Sequence, residues 1–142
     1  MSSDVTESRI NGATARIVDS MPEVDVVALL GRIPSLRFAS SNGLRMLARQ
    51  TMVEPVEVGD DVICQGARSD DVYYVVNGLF EVLISHDGGT PDFIRVLRAG
   101  DSFGELGVLY AVPRTATIRC TAAGDVLRLP GDAFLDALEH RD

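Results

Sequence analysis

Between residues 52 and 129 the apolar residues come in short clusters, each closed within a few positions by glycine, asparagine or aspartate. Val53, Val56 and Val58 suggest an extended segment that ends at Gly59-Asp60. Val62, Ile63 and Cys64 form a second short strand, and residues 66–71 a turn. Residues 72–76 are a continuous apolar run of strand length, and Asn77-Gly78 is the dipeptide favoured in tight hairpins. Phe80, Val82 and Ile84 then alternate with Leu79, Glu81, Leu83 and Ser85. After a longer turn over residues 86–92, residues 93–97 give the next strand, closed by Ala99-Gly100-Asp101. Residues 114–120 alternate again, and residues 125–129 supply the last strand. Many short strands at close spacing, broken by turn residues, predict a β-sandwich or barrel.

Helical spacing is confined to the two ends. Residues 25–30 carry a short apolar cluster that stops before Ile33-Pro34, because the residue preceding proline resists the helical region. Ser40-Ser41-Asn42 is a capping cluster ahead of Leu44, Met46 and Leu47. Pro130-Gly131-Asp132 opens a final helix with Phe134, Leu135 and Leu138 on its apolar face. Residues 1–22 read as a loose tail, and residues 23–142 as one domain, in keeping with a chain of 142 residues.

Charge and composition exclude several functions. The formal net charge is −8, and all 13 basic residues are arginines, so a duplex-binding face is not expected. No apolar run reaches the length of a membrane span. The first twenty residues lack the apolar core of a signal peptide, so the expected location is the cytoplasm. Cys64 and Cys120 lie far apart and read as core thiols. His86 and His140 are too scattered to build a metal centre, and no nucleophile, base and orienting group come together, so neither a cofactor nor catalysis is expected.

The chemistry concentrates in residues 103–120, FGELGVLYAVPRTATIRC. In the last segment Ala116, Ile118 and Cys120 share one face, and Thr115, Thr117, Arg119 and Thr121 the other. Counting by twos places Arg114 on the inward face. A guanidinium there is costly unless an anion meets it, either Glu105 or a ligand. Gly104 lets the backbone approach a ligand closely, and a short helix opening at Glu105 aims free N–H groups at it. Arginine and helix start converge on a point that suits a phosphate. Glu105, repelled by phosphate at contact distance, fits as acceptor for a ribose hydroxyl.

Gly104, Glu105, Gly107 and, after a short spacer, Arg114-Thr115-Ala116 resemble the phosphate-binding cassette of the cyclic-nucleotide-binding domain family. VICQGARSDDVYYVVNG, residues 62–78, is similar to that family's first glycine-to-glycine signature, with Ser69 where a smaller residue is usual. The resemblance covers residues 25–139. It implies a mainly β fold, a β-roll or jelly-roll barrel with short flanking helices. It also implies a ligand, cyclic AMP in preference to cyclic GMP. Gly104, Leu106 and Gly107 would present main-chain donors, Glu105 would take the ribose 2′-hydroxyl, and Arg114 the phosphate. Thr115 would add a hydroxyl or N–H contact, which in some members reaches a guanine amino group. The partner implied is a fused or separate effector, with two copies pairing as an option. In that family a further helix follows and often covers the base. Here the last helix is cut short at Asp142, so the chain is a fragment, the lid comes from elsewhere, or the base stays partly exposed. The competing reading is a roll that binds nothing and serves as a docking or dimerisation module, with Glu105 and Arg114 paired to each other.

Overall fold

The computed structural model describes residues 21–68 and 70–140. The tail expected over residues 1–20, the departure at Ser69 and the last two residues lie outside that range. Three N-terminal helical pieces come first: α1 (Glu23–Leu30), a 3-10 turn (Pro34–Leu36) and α2 (Ser41–Ala48). The strands follow: β1 (Met52–Val56), β2 (Asp61–Ile63), β3 (Asp71–Ile84), β4 (Asp92–Leu97) and β5 (Ser102–Phe103). Then come α3 (Glu105–Tyr110), β6 (Thr117–Pro130) and α4 (Gly131–Glu139). Ser40 caps α2 as its side chain implies: the hydroxyl accepts from Gly43 N at 2.9 Å.

Two long antiparallel strands, β3 and β6, carry everything else. The order through the sheet is β1-β6-β3-β4, with β2 also on β6 and β5 also on β3. Each long strand therefore holds one short strand near each of its ends, and the sheet curls into an open roll. The architecture is mainly β, a roll flanked by helices, as the sequence implied.

Asn77-Gly78 does not reverse the chain. Residues 71–75 and 79–83 both pair with β6, so β3 runs straight through with register shifts at Asn77 and Leu79. Gly78 takes φ +93°, and a Cβ there would meet Ala122 O at 2.7 Å. The left-handed glycine makes a bulge where the two long strands cross, so it bends and coils the strand and no hairpin forms. Gly124 is the matching point on β6: a Cβ there would collide with the Asn77 carbonyl. The strands expected separately over residues 114–120 and 125–129 are accordingly one, Thr117–Pro130, which runs through its glycine. That strand begins three residues later than alternation suggested, and Arg114 precedes it.

The core has two clusters divided by the sheet. Val72, Tyr74, Leu127 and Leu129 face the helices, packing with Leu30, Leu47 and Phe134. Tyr73, Val75 and Val126 face the roll interior, with Phe80, Leu97 and Phe103. This two-sided burial explains why residues 72–75 are uniformly apolar instead of alternating. On α4 the buried side chains are Ala133, Phe134 and Ala137, whereas Leu135 is exposed, one residue off the stripe expected for it. Cys120 is buried, but Cys64 is exposed in the turn after β2 and is no core thiol.

Candidate functional site

Arg114 is pinned by its own backbone. Its N–H donates to Ala67 O at 2.9 Å, and its carbonyl accepts from Gly66 N at 2.8 Å. The turn after β2 therefore fixes where the side chain starts. The residue as a whole is 5% exposed. Nη1 donates to Gly104 O at 2.8 Å, and Nη2 to Asp71 O at 2.7 Å. The inward placement expected from the sequence holds, although the residue lies outside the strand. Carbonyls at two separate points of the chain orient the fork.

The glycines make room for that fork. Gly104 has φ +94°, and a Cβ there would meet Asp71 O at 2.9 Å and Arg114 Nη1 at 3.1 Å. A Cβ on Gly107 would come within 2.7 Å of the same nitrogen. Their absent side chains thus serve the arginine directly, a reason that spacing alone does not reveal. Glu105, the first residue of α3, is half-buried and accepts from Ser102 Oγ at 2.6 Å through Oε2. Glu105 and Arg114 are held by different neighbours, which leaves a carboxylate and a guanidinium beside a common hollow.

That hollow has a volume of about 280 Å³, close to the lower end of the roughly 300–1,000 Å³ common for small-molecule sites. Gly104, Glu105, Leu106, Gly107, Arg114 and Thr115 all line it, so the structure gathers all six residues singled out in the sequence. Val82, Leu97, Phe103, Ala116 and Ile118 give it an apolar wall. Leu106 is 58% exposed, so its side chain contributes little beyond the rim and its amide is the relevant group. A cavity with a buried cation at one end and aliphatic strands at the other suits an anion joined to a flat, weakly polar group.

Two lining residues escaped the sequence reading. Ser102 was overlooked because nothing in a hydroxyl before Phe103 signals a bond three residues ahead. Arg95 lies on β4 in the wall of the cavity. Its signal was present: in residues 93–97 it alternates in phase with Leu97, which is fully buried. Among the described residues no group of three or more His, Cys, Asp or Glu side chains lies together as a metal site, and no helix is long and apolar enough to cross a membrane.

A family model described as the cyclic nucleotide-binding domain matches residues 53–141. The potassium channel AKT1 of Arabidopsis thaliana is 31% identical over 79% of this chain, a stretch that is 13% of the channel. The cAMP-dependent protein kinase regulatory subunit of Dictyostelium discoideum is 37% identical over 47% of the chain and 21% of its own length. The chain therefore spans only a minor part of these curated relatives. Among solved structures, the regulatory domain of Toxoplasma gondii PKA with cAMP superposes with a TM-score of 0.76 at 23% identity, covering 82% of this chain and 45% of that one. The sensor domain of the transcriptional regulator DNR from Pseudomonas aeruginosa gives 0.76 at 19% identity, covering 84% and 80%. The family match spans well over half of the chain and coincides with the roll and its cavity: this chain belongs to the cyclic nucleotide-binding domain family.

Proposed function

We propose that residues 23–142 form a regulatory sensor module that binds a cyclic nucleoside 3′,5′-monophosphate and reports it to an effector. The observation that carries this reading is Arg114, a buried cation set into the wall of an otherwise largely apolar cavity in a chain of net charge −8. Its fork takes the exocyclic phosphate oxygens, and the amides of Gly104, Leu106 and Gly107 add main-chain donors. Glu105 accepts the ribose 2′-hydroxyl through the oxygen not held by Ser102. Thr115 contributes a hydroxyl at the rim. The aliphatic wall takes the base.

Charge-assisted hydrogen bonds contribute about 1.5–3 kcal/mol each. Three or four of them, together with burial of the base against the aliphatic wall and less ordering and desolvation, are in keeping with a Kd on the order of 1 μM. Cyclic AMP is the ligand we favour, on the resemblance of the cassette and on a kinase regulatory subunit among the relatives. The module is read as a binder and not a catalyst, acting in the cytoplasm. Its effector is fused or separate, since relatives carry such a region within channels and kinase subunits. Thermal denaturation with saturating cyclic AMP, cyclic GMP and linear AMP tests the proposal. The cyclic nucleotides should raise the Tm and AMP should do so far less. No shift with either cyclic nucleotide would reject it in favour of a docking module.

A further inference from the structure

Pro113, Arg114, Thr115 and Ala116 all line the cavity, yet they lie in the irregular stretch between α3 and β6. A stretch outside helix and strand takes its position from whatever its main-chain groups bind. Here that neighbour is the turn at residues 65–67. Gln65 N–H donates to Thr117 Oγ1 at 3.0 Å. Gly66 N–H donates to Arg114 O at 2.8 Å, and Arg114 N–H to Ala67 O at 2.9 Å. These bonds hold both ends of residues 114–117, and so set where the Arg114 side chain leaves the backbone.

The turn is itself tied down by the side chain of Gln65. Its Oε1 accepts from Ser85 N at 2.8 Å, and its Nε2 donates to Ser85 O at 3.0 Å. One amide thus takes both main-chain groups of a residue twenty positions away, as a neighbouring strand would. A backbone N–H can only donate and a carbonyl only accept, so these partners fix which way the amide points. Ser85 directly follows β3, whose Leu83 pairs with Thr117 at the start of β6. Gln65 therefore joins the turn to the end of one long strand and the start of the other. The residue is exposed, and exposed hydrogen bonds add little to overall stability. A glutamine that serves only solubility leaves its amide to water, whereas this one commits both ends to a single residue.

We propose that Gln65 is a positioning residue for the phosphate arginine. This inference rests on the nucleotide-binding reading above. Gln65 is not among the residues that line the cavity, so it acts on the ligand through Gly66, Ala67 and the Arg114 backbone. A guanidinium fork makes both of its bonds to a phosphate only when held to within about 0.5 Å of the productive geometry. Without the tie to Ser85, residues 65–67 shift and Arg114 shifts with them. The guanidinium stays buried beside the Gly104 and Asp71 carbonyls, but its aim at the ligand is looser.

Titration with cyclic AMP, followed by NMR on the intact chain, Gln65→Ala, Arg114→Ala and the double variant, tests the assignment. Gln65→Ala should weaken cyclic AMP about tenfold in the intact background and less than about twofold in the Arg114→Ala background, because its effect passes through that side chain. Amide hydrogen exchange without ligand gives a second reading. In Gln65→Ala the Gly66 and Arg114 amides should exchange about tenfold faster, and the Val72 and Leu127 amides at the unaltered rate. Gln65→Glu keeps the acceptor for Ser85 N and loses the donor to Ser85 O, so it should weaken binding by about threefold; it supplies the same comparison should Gln65→Ala not fold. Unchanged affinity, or an equal loss in both backgrounds, would overturn the proposal. So would faster exchange throughout the sheet, which marks a role in stability only. Failure of the unaltered chain to bind cyclic AMP defeats the binding reading itself, and this inference with it.

Discussion

Replacing Arg114 by alanine separates the two things this side chain does. It donates to the Gly104 and Asp71 carbonyls at 2.8 and 2.7 Å. Removing it deprives two carbonyls of donors. It also removes a cation that is costly to bury, and the adjoining cavity admits water to both oxygens. These effects oppose each other, so ligand-free stability should change by about 1 kcal/mol or less, a few degrees in Tm. The ligand has no such compensation. Two charge-assisted bonds lost from the phosphate are worth about 3–6 kcal/mol together, a loss of roughly 10²–10⁴ in affinity. With ligand at 100 times its Kd, the unaltered chain gains about 2.7 kcal/mol, or roughly 8–11 °C at the 3–4 °C per kcal/mol suited to its length. At that concentration Arg114→Ala should gain no more than about 0.4 kcal/mol, close to 1 °C. Calorimetry with scanning, with and without cyclic AMP, reads both numbers in one series. Arg114→Lys retains charge without the planar fork and should recover only a minor part of the shift. If Arg114→Ala keeps the full ligand-induced shift, the guanidinium is not the counter-charge of the phosphate.

Two further outcomes follow from other contacts. Ser102→Ala removes the 2.6 Å bond that orients Glu105; it should weaken cyclic AMP by about fivefold to tenfold and leave the 2′-deoxy analogue, which lacks the Glu105 contact, nearly unchanged in titration calorimetry. Thiol labelling of the folded chain should modify Cys64 rapidly and Cys120 only on unfolding, because Cys64 is exposed while burial covers Cys120 and pushes its thiol pKa up; mass spectrometry counting two fast thiols would contradict the packing described.

Local chemistry made much of this molecule legible. Ser40 announced its cap, alternation placed Ile118 and Cys120 inward, and the spacing from Gly104 to Arg114 gathered six residues that do line one cavity. What failed depended on partners distant in the chain. Asn77-Gly78 has the same local signature in a hairpin and in a bulge, and only the pairing of both flanks with β6 distinguishes them. The strands over residues 114–120 and 125–129 read as separate because the partner that requires a glycine at Gly124 is the Asn77 carbonyl, far back in the chain. The role of Gly107 was likewise hidden, since the group it accommodates is the end of an arginine side chain seven positions later. Arg95 was passed over, although it alternates in phase with buried Leu97, because an arginine on an edge strand is unremarkable by itself.

The sharing of β3 and β6 by both apolar clusters governs how the domain comes apart. Val72 and Tyr74 belong to the helical side, and Tyr73 and Val75, interleaved with them, to the interior of the roll. Stripping either layer exposes the back of the same four-residue stretch, so neither layer has a separate melting point. Amides in the helices and in the strands should exchange with deuterium under one common opening free energy, and a nucleotide seated in the roll should slow exchange in α4 as much as beside the ligand.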